Sequence, residues 1–220
     1  MQMSDRVIAI GDIHGCATAL KTLIEAIQLK STDTLVPLGD YVDRGPESSA
    51  VIELLSELVG SCRLVPLVGN HELIMQRALQ DEQQYRYWMN CGGDATVASY
   101  GGNINNIPQH HHAFLQHCRP YYETDSHIFV HASYQHLVDM DDQEPEIMFW
   151  EHLTEDVPPP HISGKKVFVG HTPQVDGDVY DMGHIALIDT FCFGGQWLTA
   201  IDAISGKIWQ ADNHGNLRDK

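Results

Sequence analysis

The chain has 220 residues and a formal net charge of −17, with 30 acidic residues against 13 lysines and arginines. This charge excludes non-specific binding to nucleic acids or anionic membranes, because both require clustered basic side chains. Hydrophobic residues make up 43% of the sequence and charged residues 20%, which excludes a disordered chain and is typical of a globular protein. We expect one domain across residues 1–220 and no nucleic acid or membrane partner.

The cysteines indicate a reducing environment. Their number is odd and none form a Cys-x-x-Cys pair, so neither a disulfide framework nor a zinc ribbon is indicated; they are Cys16, Cys62, Cys91, Cys118 and Cys192. The apolar run before Gly11 is too short for a signal peptide. No segment approaches the ~20 apolar residues of a membrane span. We therefore expect a cytoplasmic protein.

The first seventy residues predict strands that alternate with helices. The strands are predicted at the short apolar runs Arg6–Ile10, Thr34–Leu38 and Leu64–Val68. A helix is predicted after each strand, from apolar residues at helical spacing: Leu20 to Ile27, Val51 to Leu58, and Glu72 towards Leu79. This alternation indicates a parallel β-α-β arrangement, in which ligand sites gather at the carboxyl ends of the strands.

The remainder predicts a polar helical region followed by further strands. Asp81–Gln116 contains helices and loops, with glycine pairs as breaks. Phe129-Val130 predicts a buried strand that ends at His131. Later strands are predicted at Lys166–Val169, Ile185–Ile188, Trp197–Ile201 and Ile208–Gln210. Ser205-Gly206 supplies a hairpin turn between the last two.

Potential metal ligands follow five of these predicted strands. The segments are Gly11-Asp12-Ile13-His14-Gly15, Gly39-Asp40-Tyr41-Val42-Asp43-Arg44-Gly45, Gly69-Asn70-His71-Glu72, His131 and Gly170-His171-Thr172-Pro173. Each alone is typical of a turn or an ordinary histidine, but their repetition at successive strand ends is not. Carboxylate and amide oxygens with imidazole nitrogens form a mixed, fairly hard ligand set that suits Mn, Fe or Zn. The sequence therefore predicts a metal site.

In this order, from Asp12 to His171, the segments resemble the phosphoprotein phosphatase family of binuclear metallophosphoesterases, particularly its compact bacterial and phage members. The resemblance implies an α/β fold with a central mixed β-sandwich flanked by helices, the calcineurin-like metallophosphoesterase fold. It implies two divalent metal ions, Mn first, with Fe or Zn as alternatives. The implied ligands are Asp12 and His14 for the first metal, Asp40 as the bridge, and Asn70, His131 and His171 for the second.

The same resemblance implies the catalytic groups. Arg44 and Asn70 would bind phosphate oxygens, while a metal-bridging hydroxide attacks and His71, supported by Asp43, acts as general acid. Hydrolysis of phosphate monoesters requires rate enhancements up to ~10²¹, whereas general acid catalysis supplies about 10²–10⁴. The metals and Arg44 are therefore expected to supply most of the effect. The alternative for Asp43 is a surface ion pair with Arg44, against which the resemblance favours contact with His71. The alternative for His71, a residue that solvates a helix start, is weaker than the catalytic role.

Two stretches depart from the family pattern. Compact relatives carry a second phosphate-binding arginine after a tryptophan, whereas residues 148–152 read Met-Phe-Trp-Glu-His. The sequence does not select a replacement among His152, Lys165, Lys166 and Arg119. Near the C-terminus, Phe191 follows Asp189-Thr190 where relatives often have glycine.

Histidine is unusually abundant, with 14 residues, of which four lie in the motifs. The consecutive His110-His111-His112 stand in the polar middle region, where we expect a solvated loop. An accessory metal site is the alternative.

The predicted function is metal-dependent hydrolysis of a phosphoester, with protein serine/threonine phosphate as the main hypothesis over other small phosphoesters. One alternative is a symmetrical diadenosine-tetraphosphatase-like hydrolase, and a weaker one is a catalytically silent metal-binding module. Dinucleotide-cleaving relatives tend to have Gly-Asn-His-Asp and to lose the second acid of the second motif, whereas this chain has Glu72 and Asp43. Trp88, residues 92–96 and residues 99–101 also resemble a segment of bacterial protein phosphatases. This ranking rests on family resemblance.

Overall fold

Ten strands form two mixed sheets in the computed structural model, which describes residues 5–154 and 156–219. In chain order they are β1 (Val7–Ile10), β2 (Thr34–Pro37), β3 (Arg63–Leu64), β4 (Tyr121–Glu123), β5 (His127–Val130), β6 (Lys166–Val169), β7 (Tyr180–Asp181), β8 (Ile185–Leu187), β9 (Leu198–Asp202) and β10 (Ile208–Ala211). The first sheet has the order β10-β9-β1-β2-β3 and the second β4-β5-β6-β8-β7.

Seven α-helices flank the sheets in the described part of the chain. They are α1 (Ala17–Ile27), α2 (Ser48–Glu57), α3 (Asn70–Ala78), α4 (Glu82–Trp88), α5 (Asp94–Ser99), α6 (Gln109–Gln116) and α7 (Pro145–Trp150). Helix α1 buries Leu20, Leu23 and Ile27 on one face, as its periodicity predicts, and packs on β9 and β10. The predicted α/β fold, a mixed β-sandwich flanked by helices, is confirmed. No described helix has the length and apolar character needed to cross a membrane.

The first three strands run parallel, as the β-α-β pattern predicts. Ile8 lies opposite Leu35 in the β1–β2 ladder, and β3 continues the sheet beside β2. The third strand is shorter than the predicted Leu64–Val68. The N–H groups of Val65 and Leu67 still donate to carbonyl oxygens of β2, and Leu67 makes an isolated bridge to Arg119.

Alternate side chains of the central strands enter different cores. In β1, Ile8 faces the helices, whereas Ala9 faces the space between the two sheets. Phe129 of β5 and Phe168 of β6 stack between the sheets with ring centroids 5.3 Å apart. Because both faces of these central strands are covered, they carry apolar residues at consecutive positions, as in Val7–Ile10, and not only at alternate ones. The polar strand ends are thereby left at the rim of the sandwich.

The region between α3 and β4 is mostly helical. Helices α4 and α5 are joined by a π-helical segment, Met89–Gly93, in which Gly92 has a φ of +103°. The expected solvated loop at His110–His112 is wrong, since these residues lie on α6 and His111 is buried. The helix forms because Phe114 and Leu115 pack into the core, which outweighs the polar composition.

Candidate metal centre

Polar side chains from both sheets meet at the strand ends. Strand β1 leads to Asp12 and His14, β2 to Asp40, β5 to His131 and β6 to His171, while Asn70 begins α3. The backbone N–H of His171 donates to both carboxylate oxygens of Asp12 at 3.0 Å, which joins the end of one sheet to the end of the other. All six predicted ligands are therefore gathered in one place.

Several residues of this site have backbone in the left-handed region of φ/ψ space. Seven non-glycine residues of the described chain have positive φ, and five of them belong to the predicted site: His14, Asp40, Asp43, Arg44 and His171. Such conformations cost on the order of 1–3 kcal/mol each and persist where the surroundings enforce them. Gly39, just before Asp40, has a φ of +105°, and a Cβ there would lie 2.5 Å from the backbone nitrogen of Gly69. Glycine is thus required for the turn that aims Asp40.

Asp40 lies between two histidines. One of its carboxylate oxygens is 3.3 Å from His14 Nε2 and the other is 3.5 Å from His131 Nε2. Two groups with ligating atoms within 4.8 Å of one another share Asp40, one with His14 and His71 and one with His131 and His171. This position matches that of a bridging ligand.

The rings of His14 and His131 each present a lone pair to Asp40. Nδ1 of His14 lies 2.9 Å from the Val42 carbonyl oxygen, and Nδ1 of His131 lies 2.8 Å from that of Leu38. A carbonyl only accepts hydrogen bonds, so Nδ1 carries the hydrogen and Nε2 is the free acceptor. Burial lowers the pKa of His14 to about 3 and also lowers the pKa of His131, which keeps both rings neutral at neutral pH.

Acceptor atoms therefore face acceptor atoms across the centre. His131 Nε2 is 3.0 Å from Asn70 Oδ1, although neither atom has a hydrogen to share. His171 Nδ1 is 3.1 Å from the same oxygen, and its buried Nε2 has no hydrogen-bond partner among the described residues. Convergent lone pairs of this kind repel one another unless a cation lies between them, so these residues fit a bound metal ion.

Buried negative charge supports the same conclusion. Desolvation, followed by the carboxylates of Asp189 and Asp40, raises the pKa of Asp12 well above its ordinary value. Desolvation also raises the pKa of Asp189 to about 7. Carboxylates packed this closely keep their charge at neutral pH when divalent cations neutralise them.

His71 and Asp43 form a buried pair. His71 Nδ1 lies 2.7 Å from Asp43 Oδ2, and no ion pair between Asp43 and Arg44 is formed among the described residues. Burial lowers the pKa of His71, but the carboxylates of Asp40 and Asp43 outweigh it and raise that pKa above its ordinary value. A ring held through Nδ1 keeps its Nε2 available, so the pair is arranged to deliver a proton.

Sequence reasoning missed the groups that hold Asp43. Trp88 Nε1 donates to both of its carboxylate oxygens, at 2.8 and 2.9 Å, and the Thr96 hydroxyl donates at 2.7 Å. Both residues belong to the segment that resembles bacterial protein phosphatases. That resemblance is the one feature of the sequence that points to them as part of the site. Their contact is with Asp43, which they fix in position.

Glu72 was also missed as an organiser of the site. It is fully buried and accepts hydrogen bonds of 2.8–3.3 Å from four backbone N–H groups, those of Asp40, Tyr41, Val42 and Gly69. Desolvation and the nearby Asp40 raise its pKa to about 7. As the third residue of α3, Glu72 also caps its own helix, a spacing readable in sequence. It thereby ties the loop after β2 to α3.

Arg44 is the exposed cation of the site. Its NH1 lies 3.2 Å from His14 Nε2, and its guanidinium carbon lies 4.7 Å from the ring centroid of Phe193. Phe193 also meets the His14 ring edge-on at 4.9 Å. An arginine held from two sides while open to solvent is suited to bind phosphate oxygens.

Four side chains are candidates to replace the second phosphate-binding arginine of compact relatives. Of these four, only His152 lies at the candidate metal centre. Its ring stacks on His171 with centroids 4.2 Å apart and an interplanar angle of 22°. The others are placed elsewhere: Lys165 pairs with Glu123, Lys166 pairs with Asp181, and Arg119 lines a cavity beside α6. His152 is exposed, so it is open to a ligand.

A segment of the chain is closely similar to named bacterial proteins. Over 65 residues it is 48% identical to a protein from Acidovorax ebreus (strain TPSY) and 45% identical to one from Baumannia cicadellinicola subsp. Homalodisca coagulata, both named symmetrical bis(5'-nucleosyl)-tetraphosphatase. The segment is 29% of this chain and 22% of each relative, so the match spans less than a quarter of the relatives' length.

Solved structures share the fold over nearly the whole chain. One, described as a candidate diadenosine tetraphosphatase, has a TM-score of 0.72 and 23% identity and covers 96% of this chain and 94% of its own. A cold-active protein tyrosine phosphatase has a TM-score of 0.68 and 15% identity, with 97% of this chain and 78% of its own covered. Identities this low show the fold alone.

The expectation of a protein serine/threonine phosphatase acting on a phosphoprotein is wrong, because the similar segment belongs to dinucleoside tetraphosphatases. The residues that favoured it were Trp88, Thr96, Glu72 and Asp43. In the structure, Trp88 and Thr96 hold Asp43, Asp43 holds His71, and Glu72 holds the loop of Asp40. All of these contacts lie within the protein, so these residues support the site and do not identify its substrate.

A protein-family model matches most of the chain and identifies its family. A family model described as calcineurin-like phosphoesterase matches residues 5–203, a range that contains every predicted ligand. Members use a binuclear divalent metal site, which agrees with the two ligand groups that share Asp40. The resemblance to binuclear metallophosphoesterases is thereby confirmed, and the chain belongs to the calcineurin-like phosphoesterase family.

Proposed function

We propose that this chain hydrolyses dinucleoside tetraphosphates symmetrically, cleaving the central phosphoanhydride to release two nucleoside diphosphates. The observation that carries this proposal is the 65-residue segment that is 48% identical to a protein named symmetrical bis(5'-nucleosyl)-tetraphosphatase. The two ligand groups that share Asp40 also support it, because two divalent ions held there would supply the concentrated positive charge that cleavage of a tetraphosphate requires.

The proposed metal ligands fall into two groups. Asp12 and His14 would hold one divalent ion, Asp40 would bridge, and the second ion would be held by Asn70, His131 and His171. We propose Mn²⁺ first for both positions, with Fe or Zn as alternatives, because oxygen and imidazole donors without a thiolate suit all three. When bound, the ions supply positive charge to the phosphate oxygens and lower the pKa of bound water.

The remaining site residues have distinct proposed roles. Arg44 binds phosphate oxygens and is held for this by His14 and Phe193. The amide of Asn70 adds a polar contact to the phosphate. His71 donates a proton from Nε2 to the departing phosphate oxygen, while Asp43 fixes its ring through Nδ1.

The leaving group sets how much proton donation matters. The terminal phosphate oxygen of a departing nucleoside diphosphate is far less basic than a serine alkoxide, so it requires less protonation in the transition state. We therefore expect His71 to contribute less to anhydride cleavage than to hydrolysis of an alkyl phosphate by the same protein. Most of the rate enhancement for the tetraphosphate would then come from charge neutralisation and positioning.

The experiment is a product analysis with the full chain loaded with Mn²⁺. Diadenosine tetraphosphate, a phosphothreonine peptide and p-nitrophenyl phosphate are compared by kcat/KM, with Asp40→Asn as the inactive control. We expect ADP as the sole nucleotide product and a kcat/KM for the dinucleotide at least about tenfold above that for the peptide. Release of AMP and ATP, or hydrolysis of the aryl phosphate without hydrolysis of the dinucleotide, would overturn the proposal.

A further inference from the structure

A second group of metal-ligating side chains lies where α2 packs against α6. Glu53 stands on α2, and His110 and His111 stand in the first turn of α6. Glu53 Oε2 lies 2.9 Å from His110 Nε2 and 2.8 Å from His111 Nε2, and the ligating atoms of all three lie within 4.8 Å of one another. This group, which we name the α2–α6 cluster, shares no residue with the candidate metal centre.

The two histidines converge although they are consecutive on a helix. Consecutive helical residues point about 100° apart and do not normally face one another. Here the ring centroids of His110 and His111 are only 4.4 Å apart, with an interplanar angle of 75°. Both rings turn towards the same oxygen of Glu53, so two imidazole nitrogens and one carboxylate oxygen surround a common point.

His111 is fixed from its far side. It is 2% exposed, and its Nδ1 lies 2.8 Å from the hydroxyl oxygen of Tyr100. A hydrogen bond to the nitrogen that does not ligate is the usual way in which proteins orient metal-binding imidazoles. His110 and Glu53 have side chains that are 57% and 48% exposed, so an ion and a water molecule have access.

We propose that Glu53, His110 and His111 bind one Zn²⁺ ion, with water as the fourth ligand. Two imidazole nitrogens and one carboxylate oxygen are a donor set that zinc accepts in tetrahedral geometry, and imidazole favours zinc over magnesium or calcium. The spacing of the donors resembles that of the candidate metal centre, where His131 Nε2 lies 3.0 Å from Asn70 Oδ1. The ion would tie α2 to α6, and the proposal is independent of the proposed function.

The competing interpretation is a pair of ordinary hydrogen bonds, in which both rings donate Nε2–H to Glu53. The two interpretations differ in metal content. The full chain is stripped with a chelator, dialysed against Zn²⁺ and subjected to elemental analysis, in parallel with Glu53→Gln and His110→Ala. We expect each variant to hold one zinc ion fewer per chain than the wild type. With Co²⁺ as the probe, the visible absorption of a four-coordinate ion should be lost in both variants.

Matched controls separate this site from adventitious surface binding. Glu57→Gln changes an exposed glutamate on α2, and His117→Ala changes an exposed histidine at the end of α6. Both should keep the wild-type zinc content. Equal zinc content in the wild type, Glu53→Gln and His110→Ala would overturn the proposal, and so would the same loss of zinc in the two controls. Since Glu53 and His110 are half exposed, both variants are expected to fold, which circular dichroism checks.

Discussion

The loops at the strand ends and the helical segment from α4 to α5 both hold the proposed catalytic groups, but in opposite ways. The loops do so through their own backbone, with positive φ at proposed metal ligands such as Asp40 and His171. The helical segment includes the π-helical stretch Met89–Gly93, and it acts through two side chains, Trp88 and Thr96, that reach Asp43. In the loops, the local sequence is enough to place a side chain at the site. In the helical segment, only the tertiary fold brings the side chains to Asp43. The following variants test this contrast.

The largest effect is expected for Asp40→Asn. Asp40 belongs to both ligand groups, and an amide supplies neither the negative charge nor the second anionic oxygen. We expect kcat/KM to fall by about 10³-fold or more, together with loss of bound metal. Asp125→Asn, an exposed position, is the control and should change neither value. A variant that kept two ions per chain and most of its activity would contradict the bridging role.

His71→Asn is expected to lower kcat by about 10²–10⁴-fold for substrates whose leaving groups require a proton. The raised pKa of His71 and its contact with Asp43 favour the protonated ring that such substrates need. Metal content should stay as in the wild type, which distinguishes this variant from Asp40→Asn. Phenyl phosphate and p-nitrophenyl phosphate provide the measurement, since the first has the more basic leaving group. An equal loss on both substrates would exclude proton donation by His71.

Gly39→Ala tests the backbone of the loops directly. A Cβ there would lie 2.5 Å from the Gly69 nitrogen, in a conformation with φ of +105°. We expect the free energy of unfolding to fall by about 3 kcal/mol from strain and overpacking together. Gly102→Ala is the matched control, because Gly102 has a φ of +80° but nothing within 4 Å, and about 1 kcal/mol is expected there. Equal changes in urea denaturation would show that the close approach is unimportant.

Trp88→Phe tests the helical segment. The substitution keeps an aromatic ring but removes the N–H that donates to Asp43, which leaves a buried carboxylate short of a donor. We expect a loss of stability of about 1–3 kcal/mol and a fall in kcat of about tenfold through a misplaced His71. Trp209→Phe makes the same chemical change away from the site and should leave kcat unaltered. If both variants had equal kcat, Trp88 would be a packing residue only.

The contrast explains what the sequence revealed. Asp12, Asp40 and Asn70 each follow an apolar run and a glycine, so local pattern is enough to find them. The mixed β-sandwich is expected only from the family resemblance, because the pattern itself predicts a parallel β-α-β arrangement. Trp88 lies 45 residues from Asp43, and no periodicity connects the two. The histidines of α6 predicted a loop because their composition is polar, whereas packing of Phe114 and Leu115 into the core outweighs that composition. The protein serine/threonine phosphatase hypothesis is wrong because it rests on residues such as Trp88 and Glu72, whose contacts lie within the protein.

The smallest effect is expected at Phe193, which belongs to neither type of region. Its loop contains a left-handed residue, Phe191 with φ of +61°, yet Phe193 acts through its ring face on Arg44. A cation–π contact of about 0.5–2 kcal/mol predicts that Phe193→Ala raises KM about 2- to 30-fold with kcat nearly constant. Phe193→Leu keeps apolar bulk without the ring and should show most of the same rise. A Leu variant with wild-type KM would mean that Arg44 requires only apolar packing at this position. The cation–π contact would then play no part in positioning the Arg44 guanidinium for phosphate.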